Sequence, residues 1–240
     1  MNLNPTIVGL TIRALFGRRR VLLLLPMPLL LLGITLLGLA SSATAADWGP
    51  PVLGDLGLGV VLPLTALVVG SSVLGLEIDD GTITHLLTKP LPRQEIILAK
   101  LVVAWAVTTV STAVPLALAA LLAGATGLAV GLVVGSAVGA LAYTALFLAL
   151  SLVTKRPVAV GLVYLMLWEN LLVKFVDGAK VFSVQQHSVT LADAVAGDSE
   201  LLVSSVSVVT AVIMAAALTV GGFLLATSRL RSFALTGDTN

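Results

Sequence analysis

The chain has 240 residues, of which 58% are hydrophobic and only 10% charged, with a mean hydropathy of +1.11. A soluble domain of this length needs more charge to cover its surface, so the excess apolar sequence is expected to face lipid. A formal net charge of +1, with basic residues scattered beside apolar runs, excludes nucleic acid as a partner, and the absence of cysteine excludes disulfides, thiol nucleophiles and cysteine-based metal sites.

A bilayer core about 30 Å thick is crossed by about 20 apolar residues in a helix rising about 1.5 Å per residue. Six stretches qualify: Val21 to Ala40, Leu56 to Leu76, Ala99 to Ala123, Leu128 to Leu152, Pro157 to Val176 and Ser204 to Ala226. They predict an all-α, polytopic, single membrane domain over residues 1–240, with six transmembrane helices. Ahead of the first stretch, Asn4-Pro5 is a helix-start signal, and Ile7, Val8, Leu10, Ile12, Leu15 and Phe16 interleave with Thr6, Thr11 and Arg13. Residues 1–20 therefore read as a short helix on the membrane interface. Arg18 to Arg20, the apolar run and Ala43-Thr44-Ala45 imitate a signal peptide, but the run is too long for its central region, so no cleavage is expected.

Pro26 and Pro28 in the first span, Pro63 in the second and Pro115 in the third each remove a backbone donor and predict kinks, with Thr108, Thr109, Ser111 and Thr112 placed to meet some of the freed groups. Gly124-Ala125-Thr126-Gly127 breaks one long apolar run into a tight helical hairpin. Gly131, Gly135 and Gly139 recur every fourth residue and form a seam that lets a neighbouring backbone approach. In the fifth span Glu169, followed by Asn170, costs about 2.5 to 3.5 kcal/mol if charged at the bilayer centre. It either lines a polar substrate path or marks a helix that has already reached the interface. Residues 177–203 form an extracytoplasmic cap, in which Val189, Ala192 and Val195, with Asp193 and Asp198 opposite, predict a short surface helix.

In this topology all lysines and arginines except Lys174 and Lys180 share one side. That side is cytoplasmic by the positive-inside rule, and both termini lie there. Between the second and third spans stands a polar insert, Glu77 to Lys100, too polar to cross a bilayer and too structured for a plain linker. Within it Ile83, Leu86 and Leu87 fall at i, i+3 and i+4, an apolar face fit for a groove on a partner, with Glu77, Asp79, Asp80, Lys89 and Arg93 around it.

Catalytic signatures are missing. There is no G-x-x-x-x-G-K-[ST] phosphate loop, so nucleotide hydrolysis must come from another subunit. Asp79-Asp80-Gly81 begins like the aspartate pattern of membrane phosphotransferases, yet no further aspartate occurs before Asp177, on the other side. His85 and His187, the two histidines, face opposite sides and cannot share a metal. Neither H-E-x-x-H nor G-x-S-x-G occurs.

The stretch from Leu76 to Arg93, with Glu77, Gly81-Thr82, Leu86-Leu87, Pro90, Arg93 and then Lys100, closely resembles the E-x-x-x-G-T-x-x-x-L-L-x-x-P-x-x-R…K pattern of ABC transporter permeases of the ABC-2 type. The likeness extends to the basic N-terminal segment, the hairpin, Leu167-Trp168-Glu169-Asn170 and Phe182 to His187. It looks closest to small bacterial, especially actinobacterial, permeases encoded without their ATPase. The resemblance implies two permease subunits, here a homodimer, around a substrate path in the bacterial cytoplasmic membrane, with ABC ATPase subunits on their cytoplasmic loops. ATP and magnesium are then bound by the ATPase partner, and the chain carries no catalytic residue, cofactor or metal of its own. The loop 77–98 becomes the coupling element, with Glu77, Gly81, Thr82, Ile83, Leu86, Leu87, Pro90, Arg93 and Lys100 at the contact, and Glu169 and Asn170 as candidates for the substrate path. The expected activity is export by alternating access; a non-transporting scaffold or assembly subunit is the alternative.

Overall fold

A computed structural model describes residues 8–9, 11–12, 25–41, 44–79, 92–197, 201–202 and 204–236, and every regular element among them is helical. Val8, Gly9, Thr11 and Ile12 are helical; the remainder of the expected interfacial segment 1–20 lies outside the described residues. Helix α1 spans Pro26–Ala40. Pro26 and Pro28 stand in its first turn, where an amide has no intrahelical acceptor, so they start this helix and do not kink it.

Helix α2 begins at Ala45, well ahead of the Leu56 expected from hydropathy. Asp47 sets that start: its Oδ2 accepts from the Thr44 amide at 2.8 Å and the Thr44 hydroxyl at 2.7 Å. After Ala45–Gly49 the helix widens into a π-helical stretch, Pro50–Val61, and returns to α over Leu62–Asp79. The widening begins at Pro50 and Pro51, which lack the amides of a regular α turn.

Helices α3 (Arg93–Leu122) and α4 (Thr126–Val153) are joined by a turn in which Gly124 takes φ +77°. The Ala125 amide bonds back to the Ala120 carbonyl and the Gly124 amide to that of Leu121, each at 3.0 Å, so the orphan carbonyls at the end of α3 are met inside the turn. Helix α5 comprises Pro157–Tyr164, a π stretch Leu165–Leu172 and a last turn Val173–Phe175. A 3-10 turn, Asp177–Phe182, leads to α6 (Val184–Ala196), and α7 spans Val208–Thr236.

Among the described residues, four helices are long and apolar enough to cross a membrane, within Ala45–Leu74, Arg93–Leu122, Thr126–Val153 and Val208–Ser232, and two shorter apolar helices occupy Pro26–Ala40 and Pro157–Leu172. The chain is a multi-pass membrane protein.

Helix α4 is the axis of the bundle and packs against α2, α3, α5, α6 and α7. Its Tyr143 and Phe147 join Leu62, Leu67, Leu116 and Leu132 in one core, while Leu148 and Leu152 join Val69, Ile96, Ile97 and Leu230 in a second. The surface helix expected around Val189, Ala192 and Val195 is α6, and only its C-terminal end is on the surface: Val195 is exposed, but Val189, Ala192 and even Asp193 are buried. The reason lies on α4. A Cβ added at Gly131 would collide with the Ala192 carbonyl, at Gly135 with the Ser188 carbonyl and at Gly139 with the Ser188 hydroxyl. Bare glycine backbone lets α6 sink against α4, and association among apolar helices depends on such close packing because lipid supplies little hydrophobic drive.

Neighbouring glycines on α7 isolate this effect. A Cβ on Gly222 would lie 2.8 Å from the Ala145 backbone, whereas one on Gly221 meets nothing within 4 Å. Gly222→Ala and Gly135→Ala are expected to destabilise the protein by about 1 to 3 kcal/mol through overpacking, and Gly221→Ala to be neutral or slightly stabilising. Thermal unfolding of the purified variants in one detergent checks this ordering.

Candidate functional site

A carboxylate inside an apolar bundle is tolerable only if its oxygens find donors. Glu169 is 1% exposed and has four. Its Oε1 accepts from the Tyr143 hydroxyl at 2.9 Å, the Val184 amide at 3.0 Å and the Tyr164 hydroxyl at 3.3 Å; its Oε2 accepts from the Ser183 hydroxyl. The donors come from α4, α5 and the start of α6, so one side chain ties three elements.

Each donor is placed by local structure. Tyr143 is held by stacking on Phe147, with centroids 5.9 Å apart, and Phe147 meets Tyr164 edge-on at 6.4 Å. Ser183 is the N-cap of α6: its hydroxyl oxygen accepts from the Gln186 amide at 3.2 Å while its proton goes to Glu169. Glu169 thereby stands at the N-terminal end of α6, where the helix dipole favours an anion. Its own backbone is in the π stretch of α5, and the Asn170 side-chain amide donates to the Leu165 carbonyl at 3.0 Å within that stretch. Glu169 is thus a buried acid whose two oxygens are both partnered within the bundle. Tyr143 and Tyr164, the two tyrosines of the chain, both point at it. A tyrosine within each of two apolar spans is the signal that sequence reading passed over.

The second site is the base of the polar insert. Gly81, Thr82, Ile83, Leu86, Leu87 and Pro90 lie outside the described residues, and Glu77 is described only as part of the α2 backbone. Pro92 caps the N-terminus of α3, and Arg93 follows as its half-buried first residue. Lys100, expected at a partner contact, is 1% exposed and donates from Nζ to the Val73 carbonyl at 2.9 Å. With Ile96, Ile97 and Leu101 packed on Val69, Val73 and Leu74, it clamps the start of α3 to the end of α2. Among the described residues no group of three or more histidines, cysteines, aspartates or glutamates stands close enough to hold a metal.

Residues 56–224 match the model of a family described as ABC-2 family transporter protein. The match begins within the π stretch of α2, ends within α7 and includes both sites. No curated protein matches the chain.

The hydrogen-bond knot predicts a stability role for Glu169. Glu169→Gln leaves an amide facing four donors, with at least one buried group unpartnered, and should destabilise by about 1 to 3 kcal/mol, while Tyr143→Phe should cost about 1 kcal/mol. Melting temperatures of the purified variants test this; unchanged melting with altered transport would instead put Glu169 on the cargo path.

Proposed function

This chain belongs to the ABC-2 family of transporter proteins, and from that premise we propose that it is the membrane-spanning permease of an ATP-driven exporter of the bacterial cytoplasmic membrane. Six spans cross the bilayer: the four long helices, plus α1 and α5. Both termini are cytoplasmic, and the loop after α2 is offered to an ATPase subunit, which binds the ATP and magnesium. Two copies of the chain enclose the path. Export is the direction that the resemblance of the polar insert favours.

The observation that carries the reading is the clamp at the base of that loop. Because Lys100 holds α3 to the Val73 carbonyl of α2, a displacement of the loop cannot be absorbed by one helix swinging alone. ATP-driven closure of the partner would move α2 and α3 as a pair, and α4 packs on both. In this mechanism Glu77, Gly81, Thr82, Ile83, Leu86, Leu87, Pro90 and Arg93 meet the ATPase, and Lys100 transmits the load from behind. We assign Glu169 and Asn170 to the framework that keeps α5 and α6 together, not to the cargo surface.

Two experiments test this. Replacing Leu86 and Leu87 by aspartate puts charges into a desolvated groove at a cost of several kcal/mol if they stay unpaired. The double variant should insert and dimerise normally, yet lose ATPase co-purification and transport; retained ATPase with unchanged turnover would remove the loop from the coupling role. For orientation, the absence of native cysteine allows clean single-site labelling. Ser204→Cys should react with an impermeant maleimide in intact cells, and Lys155→Cys only after the membrane is opened; the reverse pattern would invert the topology.

A further inference from the structure

At the junction of α4 and α5 lies an open cavity of about 610 Å³, with Val153, Ala159, Val160 and Val163 among its apolar lining and Lys155 and Arg156 among its polar lining. Its volume is that of a small-molecule site, about 300 to 1,000 Å³. Both cations are exposed, and among the described residues neither side chain has an ion-pair or hydrogen-bond partner; the Arg156 backbone amide alone is engaged, with the Thr154 hydroxyl at 3.2 Å. The apolar wall is open as well: Val153, Val160 and Val163 are 47%, 43% and 55% exposed. It continues along α5 through the exposed Leu162, Met166 and Leu167. Charge at the mouth and an apolar track leading away from it match a molecule that is anionic at one end and hydrocarbon at the other.

We propose that this groove binds an anionic phospholipid, its phosphate on Lys155 and Arg156 and an acyl chain along Val160 and Val163. The first turn of α5 adds to the phosphate end, since no side chain caps it and Pro157 leads it. A free phosphate would satisfy the cations but make no use of the valine wall. The inference rests on the membrane-spanning reading alone. It needs neither the ATPase partner nor the assigned orientation, so it stands or falls apart from the coupling role of the loop.

The test uses the full-length purified chain in detergent, titrated with dioleoyl phosphatidylglycerol or dioleoyl phosphatidylcholine, with bound lipid read by native mass spectrometry and melting temperature followed in parallel. Two cations near an anionic head predict a preference on the order of tenfold for phosphatidylglycerol. The preference should vanish in Lys155→Gln/Arg156→Gln and survive in Arg229→Gln/Arg231→Gln. Val163→Trp, which fills the wall and leaves both charges, should weaken retention of phosphatidylglycerol, and inorganic phosphate should not displace it. Equal retention of the two lipids, an unchanged preference in the Lys155/Arg156 variant, or equal loss in the Arg229/Arg231 control would overturn the proposal. So would quantitative disulfide formation between copies carrying Ala159→Cys, because the groove would then be covered by a second chain.

Discussion

Inside a packed bundle no water stands ready for an unpaired amide, so a helix that begins there needs its first-turn donors met by protein. Helix α6 begins in that way: Ser183 and Val184 are buried, and its start is bonded through Glu169 to Tyr143 of α4. The carboxylate takes the Val184 amide and the Ser183 hydroxyl, and Ser183 in turn takes the Gln186 amide. A buried acid and a buried helix start are each costly alone; placed together, each supplies what the other lacks. The rest of this half of the molecule depends on that exchange. Tyr143 and Tyr164 bring α4 and α5 to the same point, and the seam of Gly131, Gly135 and Gly139 receives a helix whose origin is already held.

The other end is organised by a different polar contact among apolar residues. Lys100 carries its charge into the core formed by Val69, Val73, Ile96 and Ile97 and donates a hydrogen bond to the Val73 carbonyl of α2. A lysine stem has enough methylenes to fill apolar space on the way to such a partner. The two knots use the same logic: a charge that would be expensive in hydrocarbon is placed where backbone or side-chain partners meet it. Small hydroxyl side chains follow a local version of it, as Thr112, Thr144 and Ser188 bond to carbonyls one turn back in their own helices.

Hydropathy made the framework legible. The hairpin of α3 and α4 was readable because Gly124 interrupts an otherwise unbroken apolar run, and the resemblance rests on a polar insert that stands out against the same background. The start of α2 was not readable, since Asp47, Pro50, Pro51 and Asp55 look like a loop. Asp47 instead caps its own helix, and the prolines fall at the beginning of a π stretch. Burial of α6 was hidden for another reason: what buries it is the bare face of α4, not its own composition. The partners of Glu169 were out of reach because Tyr143 is 26 residues away in sequence, and no local pattern encodes that meeting.

Helix α7 joins two regimes of selection on one cylinder. Its membrane window is only 17% buried. Ala211, Ala215, Gly222 and Ala226 face the bundle, while Val209, Val212, Ile213, Val220 and Leu224 stand exposed on the outside. Where the outer face meets lipid it answers to polarity, so valine, isoleucine, leucine and phenylalanine are interchangeable there at little cost. The inner face answers to shape, and even one methyl group matters. Relatives that diverge should therefore accumulate apolar exchanges along the outer stripe while the small residues of the inner one stay small, leaving a record of which side of the helix meets protein in the pattern of drift itself.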